Sequence, residues 1–361
     1  MHPQGKAPGL PRSGRLFPPL YKNQQFVRNG RYCARIKVFV RNTWDWITVG
    51  LRKTDVDYIA LHCTLRKELC PTVCKRGKVW SLDFAYEEEA ALNKTDVNDQ
   101  VIVAVDLGIN NAATAVAMRS DGTVLERRFL HLSSEKDRLE RSMGRIGKAQ
   151  RRGVKKMPRL WARAKGISDE IARKTAAFII DIAVEAGAHV IVMEHLDLKG
   201  RKRGSKRWRL HHWRAQYVQE MVERKAHRTG MRVSRVCAWN TSRLAFDGSG
   251  RVVRDSTNYS LCTFQTGKRY HADLNAGRNI GARYFVRELF KSLSETTRQA
   301  LSAKVPEVLK RSTCTLCTLL RVSAVLRAQC HSATELSLHR AKAVLPNTNE
   351  GSRIHSDGFA G

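Results

Sequence analysis

Residues 101–117 read VIVAVDLGINNAATAVA, an apolar run with one carboxylate, Asp106, in its middle. The β-branched residues before Asp106 and the small apolar residues after the asparagines favour two β-strands. An unpaired carboxylate buried inside a sheet costs several kcal/mol. The stretch therefore requires other groups in the chain to compensate the charge of Asp106.

The composition indicates a protein that binds a polyanion. The 361 residues include 65 Lys and Arg against 33 Asp and Glu, a formal net charge of +32. This charge exceeds what solubility needs and makes nucleic acid the leading partner. The chain has no apolar run of about 18 residues and no continuous signal-peptide core near its first residue. We therefore expect a soluble intracellular protein with neither a membrane nor a small-molecule partner.

The N-terminal third is predicted to be rich in β-structure. Residues 1–30 contain many Pro, Gly, Lys and Arg residues, which predict a flexible basic arm. The segments RYCARIKVFV, TWDWITVGL, DYIALHCTL and KVWSLDFAY are β-rich or alternate apolar with polar residues. They predict a small antiparallel β-domain within residues 31–98, which ends near Glu89 and is followed by a polar linker.

Residues 99–239 predict an α/β core. Three antiparallel strands over 101–130 precede a basic helical stretch over 134–165 and a helix capped by Ser168 and stopped by Gly187. A buried strand, AHVIVMEHL, a helix over 205–230 and a strand, MRVSRVCAW, follow. This order is that of an RNase H-like (RuvC) mixed sheet with flanking helices, in which the first strand lies centrally.

The remaining residues complete this organisation. We predict a β-hairpin insertion over 240–271, and residues 272–345 form a helix beginning near Asp273 with a helical extension. Residues 346–361 are predicted to be a disordered tail.

This sheet order brings three carboxylates to one edge: Asp106, Glu194 at the end of the neighbouring strand, and Asp273 at the start of the last helix. Three close carboxylates repel one another unless their pKa values rise or cations lie among them. Hard oxygen ligands favour Mg²⁺ or Mn²⁺. Two such ions about 4 Å apart can hold the attacking water and the leaving oxygen of a phosphodiester.

Each acid also has a purely structural interpretation. Asp106 could cap the turn at Gly108 and Asn110, Glu194 could pair with the basic residues after it, and Asp273 could be an N-cap. Their joint placement favours the metal site.

Two basic stretches predict a nucleic-acid channel. Residues 134–165 hold twelve Lys or Arg against three acids, and residues 199–214 interleave Arg with tryptophans that could stack on bases. A solvated helix surface and a packing face for the tryptophans are the alternatives. The candidate nucleic-acid residues are Arg138, Arg141, Arg145, Lys148, Arg151, Arg152, Lys155, Lys156, Arg201, Lys202, Arg203, Arg207 and Trp208.

Three motifs carry a family resemblance: DLGINNAATA (106–115), VMEHL (192–196) and ADLNAGRNIGARY (272–284). In this order they resemble the RuvC-type blocks of the TnpB family, transposon-encoded RNA-guided DNA nucleases ancestral to type V CRISPR effectors. The resemblance runs from about Arg31 to about Leu293. It implies that Asp106, Glu194 and Asp273 are the catalytic acids.

The resemblance also implies the partners and the setting of the protein. The β-domain would be a wedge-like domain that grips guide RNA, and the target would be DNA opened by guide pairing. The compartment would be a prokaryotic cytoplasm, with the protein at the nucleoid.

Two features depart from the family. TnpB proteins usually carry a four-cysteine zinc ribbon before the third block, whereas residues 240–271 contain Cys262 alone. One thiolate cannot build a tetrahedral zinc site, so we predict no zinc and an insertion packed by Phe246, Tyr259, Phe264 and Tyr270. The sequence resembles a branch that lacks the ribbon. A helical recognition domain is also not evident within the β-domain.

The cysteines elsewhere are predicted to be structural. Cys314 and Cys317 have CxxC spacing, but the apolar residues around them repeat with helical period. We expect both cysteines on one helix turn, facing the core.

The sequence thus predicts an RNA-guided, divalent-metal-dependent DNA endonuclease of a transposable element. The alternative is a nucleic-acid-binding protein that no longer cleaves, either a guided binder or a decayed transposon remnant. A DDE transposase that joins DNA ends without RNA is a third interpretation.

Overall fold

The computed structural model describes residues 19–63, 66–76, 79–108, 111–196 and 214–328. The chain divides into two compact units, 1–90 and 91–361. Within the described ranges, no helix combines the length and apolarity that a membrane span requires. The candidate residues Arg201, Lys202, Arg203, Arg207 and Trp208 lie outside the described residues, as does the predicted tail.

The first unit is built from short antiparallel pairings. β1, β2 and β3 form one sheet, and β4–β7 and β5–β6 form two strand pairs. The prediction of an arm up to residue 30 is wrong for the described residues 19–30, because β1 lies there and Phe26 is buried in a small core. The elements are β1 (Phe26–Arg28), β2 (Cys33–Val40), β3 (Thr43–Gly50), α1 (Lys53–His62), β4 (Lys67–Glu68), β5 (Thr72–Arg76), β6 (Val79–Asp83) and β7 (Tyr86–Glu87).

Helix α1 corrects one strand prediction. The segment DYIALHCTL was predicted to be β, yet its first six residues belong to α1. Val56, Ile59 and Cys63 recur at spacings of three and four and are the partly buried residues of one helix face. The neighbouring apolar residues Tyr58 and Leu61 are exposed. Because they are apolar but not buried, they made the segment look like a strand in the sequence.

The second unit is a five-stranded mixed sheet with helices on both faces. The strand order is β10-β9-β8-β11-β12, so the first strand is central and lies beside the strand that follows the helices, as predicted. The elements are β8 (Val101–Asp106), β9 (Ala113–Arg119), β10 (Val124–Leu130), α2 (Ser133–Arg151), α3 (Pro158–Glu185), β11 (Val190–His195), α4 (Ala215–Arg228), β12 (Arg232–Cys237), β13 (Val253–Arg254), β14 (Leu261–Thr263), β15 (Arg269–His271), α5 (Ala272–Ser292), α6 (Glu295–Lys304) and α7 (316–328).

Alternate residues of the central strands face two separate cores. Val103, Val105 and Ile191 pack with α3 and α4 on one face. Ile102 and Val192 pack with α5 and the C-terminal helix on the other face. Because side chains alternate along a strand, Asp106 and Glu194 leave the sheet on the α5 face.

The basic helical stretch is interrupted. The predicted continuous helix over 134–165 is wrong, since α2 ends at Arg151 and α3 begins at Pro158. Gly153 adopts φ +81°, a conformation that favours glycine, and Pro158 occupies a first-turn position, so both residues fit the break. Ser168 is therefore not an N-cap but a buried residue inside α3.

The insertion before α5 is a three-stranded antiparallel sheet of β13, β14 and β15. Phe246, Phe264 and Tyr270 pack edge-on in its core, with ring centroids 5.1 and 5.3 Å from that of Phe246. Tyr259 is exposed, so its predicted packing role is wrong. The Cys262 thiol donates to the carbonyl of Tyr270 at 3.4 Å.

The two CxxC cysteines do not share a helix turn. Cys314 precedes α7, and its buried thiol donates to the carbonyl of Glu307 at 3.2 Å. Cys317 lies in the first turn of α7 and is partly buried. The prediction placed both cysteines in one helix because the helical spacing of apolar residues in α7 extends to Cys314, which precedes the helix.

Candidate active site

Two neighbouring parallel strands place Asp106 beside Glu194. β8 and β11 pair in parallel with Val105 opposite Met193, so the next residue of each strand is an acid. Neighbouring strands lie about 4.8 Å apart. Gly108 lets the chain turn sharply after β8, because a Cβ there would lie 2.7 Å from the carbonyl oxygen of Asn111.

Helix α5 brings Asp273 to the same edge. Gly277 faces β9 so closely that an added Cβ would lie 2.8 Å from the Val116 side chain, and Gly281 approaches Met118 and Ala104 in the same way. These glycines let the helix lie directly on the strands. Asp273 is in the first turn of this helix, and its Oδ2 accepts a hydrogen bond from Asn111 Nδ2 at 2.7 Å.

Asp273 is not the helix cap. His271 is the N-cap, and its Nδ1 accepts from the backbone N–H of Asp273. The capping interpretation of Asp273 is therefore wrong, and its carboxylate is available for the site.

Glu194 is held by a threonine rather than by a basic residue. Thr241 Oγ1 donates to Glu194 Oε1 at 2.5 Å. Gln219 Nε2 also donates to the Glu194 carbonyl at 2.7 Å. These bonds fix both the side chain and the strand end, and no ion pair to Glu194 is present among the described residues.

A row of buried polar side chains on α5 holds the segment that carries Thr241. Asn279 Nδ2 donates to the carbonyls of Thr241 at 3.0 Å and Leu244 at 2.8 Å. One turn earlier, Asn275 binds the backbone of Leu244 and Phe246. The helix that supplies Asp273 therefore also positions the partner of Glu194.

Arg283 continues this row one turn later. Its guanidinium is buried and donates four hydrogen bonds to backbone carbonyls, at 2.6–3.0 Å. The acceptors are Cys237, Trp239, Ser312 and Cys314. Arg283 thus joins the end of β12 to the segment before α7. Burial raises the pKa of Glu194, and the positive charge of Arg283 opposes part of that rise.

The three acids interact electrostatically. The pKa of Asp106 is raised well above its ordinary value of 3.8, first by burial and then by the charges of Glu194 and Asp273. Burial also raises the pKa of Glu194, although the Thr241 hydrogen bond opposes this shift. Opposite Asp106 on β9, the buried Thr114 hydroxyl has no hydrogen-bond partner among the described residues.

These features fit a hard divalent cation. Carboxylate oxygens are the ligands that Mg²⁺ and Mn²⁺ prefer, and a cation would relieve the repulsion that raises the Asp106 pKa. In the described part of the chain, no three His, Cys, Asp or Glu side chains already lie close enough to hold one ion.

This electrostatic conflict predicts that Asp106→Asn stabilises the metal-free protein. A raised native pKa means that stability is full below pH 3.8 and declines as pH rises through the native value, at about 1.4 kcal/mol per pKa unit. Thermal unfolding in EDTA should give the variant a higher Tm at pH 8 and little difference at pH 4. Mg²⁺ should raise the Tm of the wild type more than that of the variant. A lower Tm for Asp106→Asn at pH 8 would contradict this account.

The predicted basic residues of α2 and the following loop are on the surface. Arg138, Arg141, Arg145, Lys148, Arg151, Arg152, Lys155 and Lys156 are all exposed. Apolar residues on the opposite side of α2, including Ile146, pack against α3. Arg138 contacts Glu170 at 3.5 Å. The charged face is therefore open to a polyanion.

Sequence reasoning missed Thr241, Asn111 and the polar row on α5. Asn275, Asn279 and Arg283 recur every four residues, which places them on one face of a helix. Asn and Arg residues at this spacing, each four residues from the next, were the signal in the sequence that could have revealed them.

The segment that carries Thr241 and Asp273 matches a known domain. Residues 216–280 match the family model of the Cas12f1-like TNB domain. Over these residues the chain is similar to that domain. The matched residues, called the Cas12f1-like segment below, contain most of α4, β12, the insertion and the first turns of α5, and the match supports the resemblance to Cas12-type RNA-guided nucleases over this segment. No curated protein matches the chain.

Similarity to solved structures extends beyond the Cas12f1-like segment. A Cas12f1–sgRNA–target DNA complex is 14% identical, with a TM-score of 0.39, over 70% of this chain and 68% of that chain. The mini-RNA-guided endonuclease CRISPR-Cas_phi3 is 12% identical, with a TM-score of 0.44, over 68% of this chain and 56% of that chain. A Cas12i–crRNA–double-stranded DNA complex is 13% identical, with a TM-score of 0.38, over 83% and 47%. The chain thus spans about half the length of the last two.

Proposed function

We propose that this protein is an RNA-guided DNA endonuclease of a transposable element, with an RNase H-like core that depends on Mg²⁺ or Mn²⁺. The observation that carries the proposal is the shared position of Asp106, Glu194 and Asp273 on one face and edge of the sheet, where Asp106 interacts with both other acids. The Cas12f1-like segment, which includes Asp273, supports the RNA-guided class.

In this proposal the three carboxylates would hold the divalent ions. When bound, the ions supply activation of water and stabilisation of the leaving 3′ oxygen. Thr241 orients Glu194, and Asn111 orients one oxygen of Asp273, so each carboxylate keeps its second oxygen for the site. Asp106, on which the charges of both other acids act, would be one of the residues that hold the ions.

Guide RNA and target DNA are the proposed partners. The exposed cationic face of α2 would bind phosphates without reading sequence, and the guide would supply sequence choice.

One observation favours a second candidate, a guided binder that does not cut. The three acids are not assembled for a single ion among the described residues. A protein that had lost cleavage would still present the cationic surface. The two candidate functions differ in whether the protein cleaves DNA when Mg²⁺ is added.

The test uses the full chain purified with its own co-expressed RNA. We expect the RNA to be a defined species on sequencing, and Mg²⁺ to permit cleavage of DNA that matches its guide. EDTA should abolish cleavage. Tight binding without cleavage in Mg²⁺ or Mn²⁺ would establish the second candidate instead, and cleavage without RNA would remove the guide.

A further inference from the structure

Strand β9 carries one polar side chain in an otherwise apolar run. Thr114 is the only polar residue between Asn111 and Arg119, and it is 1% exposed. Its hydroxyl has no hydrogen-bond partner among the described residues. A buried hydroxyl without a partner is costly, and most buried polar groups in native proteins have one. Valine has nearly the same shape without this cost, so packing alone does not account for a threonine at this position.

The register of β9 places the Thr114 side chain beside Asp106. The two residues lie directly opposite each other in the antiparallel pair of β8 and β9, so their side chains leave the sheet on the same face. The Cβ atoms of such cross-strand partners lie about 5 Å apart. Rotation about the Cα–Cβ bond of Thr114 can therefore bring its hydroxyl within hydrogen-bonding distance of the Asp106 carboxylate.

Helix α5 lies over Thr114 with its first turn. Gly277 packs on Val116, and Gly281 packs on the next residue of β9 that faces the helix, so four helix residues advance by two strand residues. Four helix residues rise about 6 Å and two strand residues about 6 to 7 Å, so the match continues toward the start of the helix. One step earlier it sets Asp273 against Thr114.

A contact on the other side of β9 supports this placement. Phe129 of β10 lies directly opposite Thr114, and its ring centroid is 4.6 Å from that of His271. His271 is the N-cap of α5 and accepts from the backbone N–H of Asp273. The Thr114 side chain is therefore enclosed by Asp106 on one neighbouring strand and by the start of α5 above it.

Two of the three acids already have a side-chain hydrogen-bond donor. Thr241 donates to Glu194, and Asn111 donates to Asp273. Within the described residues, Asp106 accepts from no side chain, and its surroundings act on it only through burial and charge. The acid without a donor thus lies opposite the β9 hydroxyl that lacks an acceptor.

Resting on the proposed nuclease function, we propose that Thr114 is a positioning residue whose hydroxyl donates to the Asp106 carboxylate when the site holds its divalent ion. An ionised carboxylate only accepts hydrogen bonds, and a threonine hydroxyl supplies one donor. Such a bond fixes the direction in which the carboxylate presents its other oxygen. Thr114 would thereby do for Asp106 what Thr241 does for Glu194.

Binding of Mn²⁺ to the full-length protein, followed by electron paramagnetic resonance of the free ion, tests this role. Thr114→Val keeps the shape of the side chain and removes the donor, so its Mn²⁺ affinity should fall by about 10- to 100-fold, as for other residues that orient a metal ligand. Thr114→Ser keeps the donor and should bind Mn²⁺ nearly as tightly as the wild type. Thr123→Val, at an exposed position at the opposite end of β9 and β10, is the matched control and should leave the affinity unchanged.

Thermal unfolding in EDTA separates positioning from a purely structural role. Thr114→Val buries a methyl group where the wild type buries an unpartnered hydroxyl, so its Tm without ions should equal or exceed that of the wild type. A lower Tm together with unchanged Mn²⁺ affinity would show that the hydroxyl serves the fold, and would overturn the proposal. Thr114→Ser binding Mn²⁺ as weakly as Thr114→Val would also overturn it, because serine keeps the donor.

These measurements separate the role of Thr114 from the nuclease. If the wild type binds Mn²⁺ and cleaves guided DNA, and Thr114→Val does both equally well, the nuclease is retained and the positioning role is removed. If Thr114→Val loses Mn²⁺ affinity in a protein that never cuts, the positioning role is retained and the nuclease is removed. A wild type that takes up no Mn²⁺ would remove both.

Discussion

Replacing Asp106 by Ala is expected to abolish guided DNA cleavage, with a rate loss of about 10³-fold or more and little change in nucleic-acid affinity. Asp106 lies at the end of the central strand and interacts with both Glu194 and Asp273. Its removal would take away one of the three carboxylates that would hold the ions. The cationic surface of α2, which is expected to supply most of the affinity, would be unchanged.

The measurement compares single-turnover cleavage in Mg²⁺ with gel-shift affinity in EDTA, on protein that carries its own RNA. Asp121→Ala is the matched control, because Asp121 is a carboxylate in the turn after β9, at the opposite end of the same sheet. This control should cut at the wild-type rate. Cleavage by Asp106→Ala within tenfold of the wild type would refute the assignment of the acids.

The sheet order could be predicted because it depends on the order of elements and on burial pattern. Strands that are buried on both faces, such as β9, give unbroken apolar runs, and an acid at the end of such a run is conspicuous. The positions of Asp106 and Glu194 at equal levels followed from the parallel pairing of β8 and β11. The order and pairing of the strands were therefore enough to predict that two of the three acids lie side by side.

Local structure that depends on competition between weak signals was harder to predict. The apolar residues within 57–62 are compatible with the two-residue period of a strand and with the 3.6-residue period of a helix. In the structure the segment is helical, and Val56 and Ile59 are partly buried on one side of the helix. In the basic stretch, the run of charge obscured Gly153 and Pro158, which separate α2 from α3. The run of basic residues indicated a polyanionic partner for this surface, but it did not indicate where the helices begin and end.

The residues that support the three acids could not be predicted from the order and pairing of the strands. Thr241 and Asn111 act through single hydrogen bonds across long stretches of chain, and such bonds leave no periodic trace in the sequence. Asn279 and Arg283 bind mainly to backbone groups, for which any residue can provide the partner. Three-dimensional geometry was needed to connect them with Glu194.

Arg283→Met is expected to destabilise the second unit strongly. The arginine is buried and satisfies four backbone carbonyls, and methionine fills the space without donating to any of them. Each buried acceptor left without a donor costs about 1–3 kcal/mol, and partial relaxation should leave a net loss of about 4 kcal/mol. For a unit of this size the Tm should fall by about 10 °C.

Thermal and urea unfolding of the full chain measure this loss. Arg283→Lys keeps the charge but cannot reach all four carbonyls, so its stability should lie between those of the wild type and Arg283→Met. Arg224→Met, at an exposed position on α4, is the matched control and should stay within about 0.5 kcal/mol of the wild type. If Arg283→Met unfolds within 1 kcal/mol of the wild type, the guanidinium does not hold the end of β12 to the segment before α7.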